Sequence, residues 1–369
     1  MCARGPRGGS VVIPPIRYLA WAIETFPRVT WNLATSGVLS VPIEELGLPS
    51  DLAGPTAYAR YTAAVAARYG VPQGEVVPTL GTSGGLWVIM ASLLGPGAEV
   101  LVEEPGYEPL YRVAEGLGAR VRRFSRLAAE GYRIDADRIR EVITPATKAV
   151  VLSSPHNPTG AVVSDEDLRA LAADLAARGI YLVVDEVYRE LSAPGTSARI
   201  LAPNILALSS LTKCFGLGWA RAGWVLAPPE LVPSMFAATI HVSGELPRMT
   251  GAIGAHAFGR IEDLLGRARS FTGSGRPRVE AFAARHASEF LYVPPAPGVP
   301  FGFFEDRRGR AMQPLIERGI AEESVIVVPG SFFGAPAGFR LSWTSLAGDP
   351  LEEALRRLER ALGLSGSRG

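Results

Sequence analysis

Between Val100 and Ala227 the chain alternates short apolar, β-prone runs with helical patterns, and that alternation restricts it to one class of fold. The runs are Val100-Leu101-Val102, Lys148 to Ser153, Ile180 to Val184, Ile205 to Leu208 and Ala222 to Ala227. A strand with one wet face alternates apolar and polar residues, whereas a continuous apolar run is covered on both faces. Helices linking such strands give a parallel or mostly parallel sheet between helical layers. One link is plain: Ser164 precedes an acidic turn (Asp165, Glu166, Asp167), then Leu168, Leu171, Ala172 and Leu175 follow at helical spacing, and Gly179 ends the pattern.

Polar residues gather where these runs end. Asn157, Asp185, Tyr188, Ser210 and Lys213 all fall at or just past the C-terminal end of a strand. In open α/β sheets that edge is where ligands bind. Each residue also has a plain structural reading. Asn157-Pro158-Thr159-Gly160 makes a good turn, Asp185 can cap the turn after its strand, and Tyr188 can be core. Five such residues on one edge make independent accidents a poor explanation. Lys213 stands out because the chain has 37 Lys plus Arg but only two lysines, Lys148 and Lys213. An amine forms an imine at neutral pH, a guanidinium does not, and a lysine pKa falls readily on burial. Alone, a lysine beside a turn is more often a solvated charge. Here it lies within Ser209 to Trp224, reading SSLTKCFGLGWARAGW, with Arg221 eight residues on.

Other segments add to this. Gly81-Thr82-Ser83-Gly84-Gly85 precedes a helical run, Leu86 to Leu94. Small residues there leave backbone N–H groups free for a phosphate, or simply start the helix. Ile16 to Ile23 and the Ala-rich Thr56 to Tyr69, which carries Tyr58 and Tyr61, read as helices, and Trp31 to Val38 as extended. Past Ser234 the pattern is less regular: Phe271 to Phe290, Ala311 to Arg318 and Leu351 to Leu362 read as helices, Phe301 to Phe304 as a strand. Phe339-Arg340-Leu341-Ser342-Trp343 places an arginine inside an apolar strand, where it needs an anion, either a ligand or a structural Asp/Glu.

With 369 residues, 47% of them hydrophobic, the chain can bury a large core and suggests two domains. A net charge of +1 gives no argument for nucleic acid or an anionic membrane. Two cysteines, Cys2 and Cys214, exclude a disulfide framework and a Cys-based zinc site, and no metal is expected. Cys214 reads as a small packing residue. The apolar run Val11 to Ile13 is too short for a signal segment and no run reaches membrane-spanning length, so the expectation is a soluble, cytoplasmic protein. Met1 to Ser10 reads as a frayed tail.

Eight motifs together resemble the class I/II aminotransferase family of pyridoxal-phosphate (PLP) enzymes, fold type I, the aspartate aminotransferase superfamily. They are GTSGG at Gly81, PGY ending at Tyr107, HNPTG at His156, DEVY at Asp185, SLTK at Ser210, WARAGW through Arg221, PGSFFG at Pro329 and FRLSW at Phe339. The resemblance covers the chain from about Asn32 to its end and implies an α/β fold. A large domain at 41–250 would hold a mostly parallel mixed sheet between helices, and a smaller α/β domain would be built from 1–40 and 251–369. It implies an aminotransferase that moves an amino group between an L-amino acid and a 2-oxo acid, through a Lys213 aldimine and a pyridoxamine phosphate form. Asp185 would pair with the pyridinium nitrogen. Asn157 and Tyr188 would hydrogen-bond the ring hydroxyl, and Tyr107 would stack on the ring. Thr82, Ser83, Gly84, Ser210 and Arg221 would hold the phosphate, and Tyr58 would reach the phosphate of the other subunit of a homodimer. Arg340, with Asn157 and the backbone at Gly37, would take the substrate carboxylate. His241 and Arg248 are candidates for reading a distal carboxylate, while Ile16 to Trp21 with Trp31 would cover the site and favour apolar or aromatic side chains. The same motifs occur in lyases, decarboxylases and aminocyclopropane-carboxylate-forming enzymes of this fold. A non-catalytic PLP-binding regulator is the alternative from another class; it needs an added DNA-binding domain, for which the segment before Pro14 is too short.

Overall fold

Seven strands form one sheet in the order Val76–Leu80, Ala222–Leu226, Ile205–Ser210, Tyr181–Asp185, Thr147–Ser153, Glu99–Glu104, Arg120–Ser125, in a computed structural model that describes residues 13–346 and 348–364. The Met1 to Ser10 tail, Val11 and Val12 lie outside the described residues. The last five strands are mutually parallel, and Ala222–Leu226 runs antiparallel to both its neighbours. The sheet is therefore mixed and mostly parallel, as expected from its apolar runs. Alternate residues of one strand feed opposite layers, the period-two geometry of a pleated sheet. Val183 packs with Leu86, Ile89, Leu110 and Met235, whereas Leu182 and Val184 pack with Leu168, Leu171 and Leu175. Helix Asp165–Ala176 starts at Ser164, whose hydroxyl oxygen accepts the Asp167 N–H at 3.0 Å.

The two outer strands were not evident in the sequence. Val76–Leu80 carries Pro78, which a sheet tolerates at an edge, where its neighbour on one side is missing. Arg120–Ser125 forms the other edge, and its arginines hide the pattern of a strand.

A second, antiparallel sheet runs in the order Val328–Pro329, Gly338–Ser342, Phe301–Asp306, Phe290–Tyr292. Helices Gln313–Glu323 and Asp349–Ala361 contribute Ile316, Leu351, Leu355 and Leu358 to its core. Trp31–Asn32 pairs parallel with Val325–Ile326, so the N-terminal segment joins this unit. The helix expected over Phe271 to Phe290 is Ile261–Arg285, 25 residues with Pro277 inside. Its first half packs Leu264, Leu265 and Ala268 against Trp224, and its second half packs Val279 and Phe282 against Phe304 and Phe339.

The stretch past Ser234 is more regular than its sequence suggests. Helix Val232–Ser243 buries only Met235, so it has almost no apolar stripe to read. Helix Arg248–Phe258 buries small residues, among them Gly251, Ala252 and Gly254. A Cβ on Gly254 would lie 2.6 Å from the Tyr61 ring, so glycine is what lets the two helices meet. The Gly81 to Gly85 stretch is likewise helical: it forms the first turn of Gly81–Leu93.

Candidate active site

The C-terminal ends of the parallel strands bring most of the expected residues together. Asp185 ends its strand beside Ser153, and Tyr107, Asn157, Tyr188 and Lys213 stand in the loops just beyond. With Thr82, Val187, Ser36 and Tyr18 they line one enclosed recess. Lys213 and Gly37 also line a second recess on the other side of the lysine, together with Thr35 and Ser345. Gly37 matters for space, since a Cβ there would sit 3.3 Å from Lys213 Cδ.

The two ionisable groups are displaced in opposite senses. Burial lowers the Lys213 amine to about 8, and the nearby Arg340 guanidinium adds to that. Burial raises the Asp185 carboxyl to about 7. Asp185 Oδ1 accepts the Val187 N–H at 3.0 Å; among the described residues no side chain donates to Asp185 and no cation pairs with it. Burial also raises the Tyr188 phenol, whose O–H donates to Ser36 Oγ at 2.7 Å. Lys213 Nζ donates to the same oxygen at 3.3 Å. A half-buried amine and a buried acid that do not pair with each other leave both free for a third body.

Helix Gly81–Leu93 starts without a side-chain cap, leaving the N–H groups of its first turn, at Thr82, Ser83 and Gly84, unsatisfied by side chains. Arg221 lies against this turn: its Nη2 donates to Leu80 O at 3.2 Å, and a Cβ on Gly81 would collide with its guanidinium. An uncapped helix start beside a guanidinium is a cradle for an anion. Ser210, fully buried, ends its strand three residues before Lys213.

Arg340 is fully buried and has no carboxylate partner among the described residues. Its Nη1 donates to Asn157 Oδ1 at 2.7 Å, and its Nη2 donates to Ala34 O at 2.8 Å and Tyr18 Oη at 3.1 Å. Its Nε has no partner among the described residues. Among the described residues it is therefore held by neutral acceptors and not by a structural Asp/Glu.

Three expected residues lie elsewhere. The Tyr58 hydroxyl donates to Pro247 O at 3.0 Å, away from this chain's recess. His241 is exposed at the end of its helix, and Arg248 is exposed and pairs with Glu245 at 3.1 Å. Conversely, Ser36 lines the recess although the sequence gives no sign of it, and Tyr18 lines it from within the Ile16 to Trp21 stretch expected to cover the site; both belong to the N-terminal segment. The Glu103–Arg126 pair lies just behind: Glu103 Oε1 accepts from Ser153 Oγ at 2.6 Å, and Ser153 Oγ accepts the Asn157 N–H at 3.1 Å.

The residues present could hold PLP. They offer an amine for its aldehyde, an unpaired buried carboxyl for its ring nitrogen, an anion cradle for its phosphate and amide and phenol groups for its hydroxyl.

Over residues 50–358 the chain matches the family described as aminotransferase class I and II, and it belongs to that family. It is a PLP-dependent aminotransferase of fold type I. It is similar to the aspartate/prephenate aminotransferase of Thermus thermophilus, with 32% identity over 78% of this chain and 76% of that one. It is also similar to the capreomycidine synthase of Streptomyces vinaceus, with 30% identity over 97% of both chains. A PLP-dependent aminotransferase from Streptococcus suis has the same fold, with a TM-score of 0.86, 23% identity, and coverage of 97% of this chain and 100% of that one. No helix among the described residues is long and apolar enough to cross a membrane.

Proposed function

We propose that Lys213 is the residue that carries the cofactor and that Arg340 receives the carboxylate of the amino-acid and 2-oxo-acid substrates. The observation that carries this reading is the presence together of a half-buried amine shifted to about 8 and a buried guanidinium with no carboxylate partner among the described residues. PLP, when bound, supplies an electron sink for the pair left at Cα once its proton departs.

The chain's own groups do the rest. Lys213, depressed by burial and by Arg340, would take the proton from Cα and return it to the cofactor's former aldehyde carbon, two bonds away across the amino nitrogen. Asp185, raised by burial in the absence of a cation, holds a proton at the ring nitrogen. Asn157 gives its amide oxygen to Arg340, which leaves its NH₂ for the ring hydroxyl, and Tyr188 shares that task. Tyr107 faces the ring. Thr82, Ser83, Gly84, Ser210 and Arg221 hold the phosphate. Arg340 takes the substrate carboxylate through a planar fork, with the Gly37 backbone beside it.

The chain then works as two units, 41–250 and 1–40 with 251–369, with Arg340 supplied by the second and the lysine by the first. In a homodimer, Tyr58 would serve the partner's phosphate, which accounts for its distance from its own recess. Mixing Tyr58→Phe with Lys213→Ala chains tests this, since activity reappears in mixed dimers only if Tyr58 acts across the interface. The recess itself offers Tyr18, Tyr107 and Ser36 to the substrate but no second cation, which supports neutral substrates unless the partner brings His241 or Arg248.

The coverage of the capreomycidine synthase, nearly end to end in both chains, favours one second reading: a synthase reaction in the same site in place of amino-group transfer. Product analysis separates the two, because transfer yields a 2-oxo acid and the aminated cofactor. Borohydride reduction followed by peptide mapping tests the lysine. Label on Lys213, and no turnover in Lys213→Ala, are expected; label on Lys148 would sink the assignment.

A further inference from the structure

Ser36 joins the two reactive side chains of the recess. It is 2% exposed, and its Oγ accepts from the Tyr188 O–H at 2.7 Å and from Lys213 Nζ at 3.3 Å. No other side-chain oxygen among the described residues accepts from Nζ. We propose that Ser36 is a further catalytic residue, whose hydroxyl oxygen holds the protonated Lys213 amine and ties it to the Tyr188 phenol.

The segment that carries Ser36 is fixed from three sides. Ala34 O accepts from Arg340 at 2.8 Å, Gly37 O accepts from the Thr344 hydroxyl at 2.8 Å, and the Val38 N–H donates to the backbone oxygen of Lys213 itself at 3.0 Å. The serine therefore moves with the lysine's own backbone and cannot drift from it.

Electrostatics show why an acceptor is needed there. The charges facing Nζ are Arg340 and Arg221, which disfavour the ammonium, and Asp185, which favours it; the Cys214 thiol and the Tyr188 phenol are neutral near pH 7 because burial raises both. An ammonium has three N–H donors and none can go unmet in a dry site without cost. When Lys213 accepts the Cα proton it becomes that ammonium, and by then Asp185, Arg340 and Arg221 are engaged at the ring nitrogen, the substrate carboxylate and the phosphate. Ser36 Oγ is the neutral acceptor left to it. The proton itself is only borrowed: it leaves Cα, rides on Nζ and returns to the substrate–cofactor adduct, so nothing is consumed.

The inference rests on Lys213 being the cofactor lysine, but its test does not need the cofactor. Because the chain has only two lysines, trace acetylation of the cofactor-free full chain across pH, read by peptide mass spectrometry, reports Lys213 with Lys148 as internal reference. Losing an acceptor of a charged donor should lower the Lys213 titration by about one pH unit in Ser36→Ala, with Lys148 unmoved. In the holoenzyme, kcat should fall about 10- to 100-fold while KM changes little. Ser36→Thr, which keeps the hydroxyl, should restore the titration and most of kcat. A Lys213 titration identical in wild type and Ser36→Ala would overturn the proposal, and so would equal losses in the Ala and Thr variants, which would mean packing alone. If borohydride instead labelled Lys148, the cofactor assignment would fail while the acetylation result still reported the Ser36 contact.

Discussion

Two arginines in this molecule are equally buried and have opposite tasks. Arg126 follows the edge strand Arg120–Ser125; its Nη1 meets Glu103 Oε2 at 2.8 Å and its Nε donates to Tyr132 O at 2.7 Å. Both side chains of that pair are 0% exposed. Arg340 is ringed by an amide oxygen, a phenol, a backbone oxygen and the faces of Phe301 and Phe333, each 5.3 Å from its guanidinium carbon. Each keeps one nitrogen without a partner among the described residues, so that detail does not separate them. The countercharge does. Arg126 carries its anion within the chain and closes a structural network, whereas Arg340 has everything a guanidinium needs except an anion. Burial alone says nothing about function; a missing countercharge does.

Stability should split the two most sharply. Arg126→Leu leaves Glu103 buried and unpaired and should cost about 3–5 kcal/mol in urea unfolding. Arg340→Leu removes an uncompensated buried charge, so it should leave unfolding unchanged or more difficult. Equal destabilisation would erase the distinction.

Asp185 is the acidic counterpart of Arg340, buried without a cation, and pH should reveal it. Its folded pKa, about 7, lies above the ordinary 3.8. The stability it confers is therefore full below pH 3.8 and is lost as pH rises through 7, at up to roughly 1.4 kcal/mol per pH unit. Thermal scans of the cofactor-free protein should show that slope, to which Glu186, also raised to about 7 by burial, adds, and Asp185→Asn should reduce it to the part that Glu186 keeps. Added PLP, which brings a ring nitrogen as partner, should stabilise more at pH 8 than at pH 5. A cofactor effect independent of pH would argue that Asp185 meets nothing in the bound form.

The smallest effect belongs to the exposed pair Arg248–Glu245. Arg248→Ala should cost less than about 1 kcal/mol in unfolding. A substrate role would show instead as a changed ratio of kcat/KM for acidic over neutral substrates, and loss of stability on the scale of Arg126 would contradict its exposure.

The large sheet and its ligand edge were legible because each functional residue there sits within a few positions of its own apolar strand. Lys213 follows Ser210, Asn157 follows Ser153, and Asp185 is itself a strand end. Arg340 was legible for a different reason, since a charge inside FRLSW conflicts with the apolar run around it. Arg126 escaped notice because FSRLAAE looks like an exposed strand end, and only the fold brings Glu103 to it. Ser36 was hidden because it reaches the recess from an extended segment with no periodicity of its own, and Tyr18, although on a helix expected to cover the site, because only the fold brings it to Arg340. Tyr18 meets Arg340 across 322 positions and Ser36 meets Lys213 across 177. Helix Arg248–Phe258 was hidden by its glycines, which usually mark turns and here mark close packing against Tyr61.

The most direct test of Arg340 compares two substrates that differ only in the carboxylate: an amino acid and its decarboxylated amine. In Arg340→Leu, kcat/KM for the amino acid should fall about 30- to several-thousand-fold, the cost of removing one partner of a desolvated charge pair. Arg340→Lys should also do badly, because an ammonium lacks the planar fork. The amine, which has nothing for the guanidinium to bind, should change by less than about threefold. A fall by the same factor for both substrates would contradict the account, for Arg340 would then be holding the site together rather than the substrate.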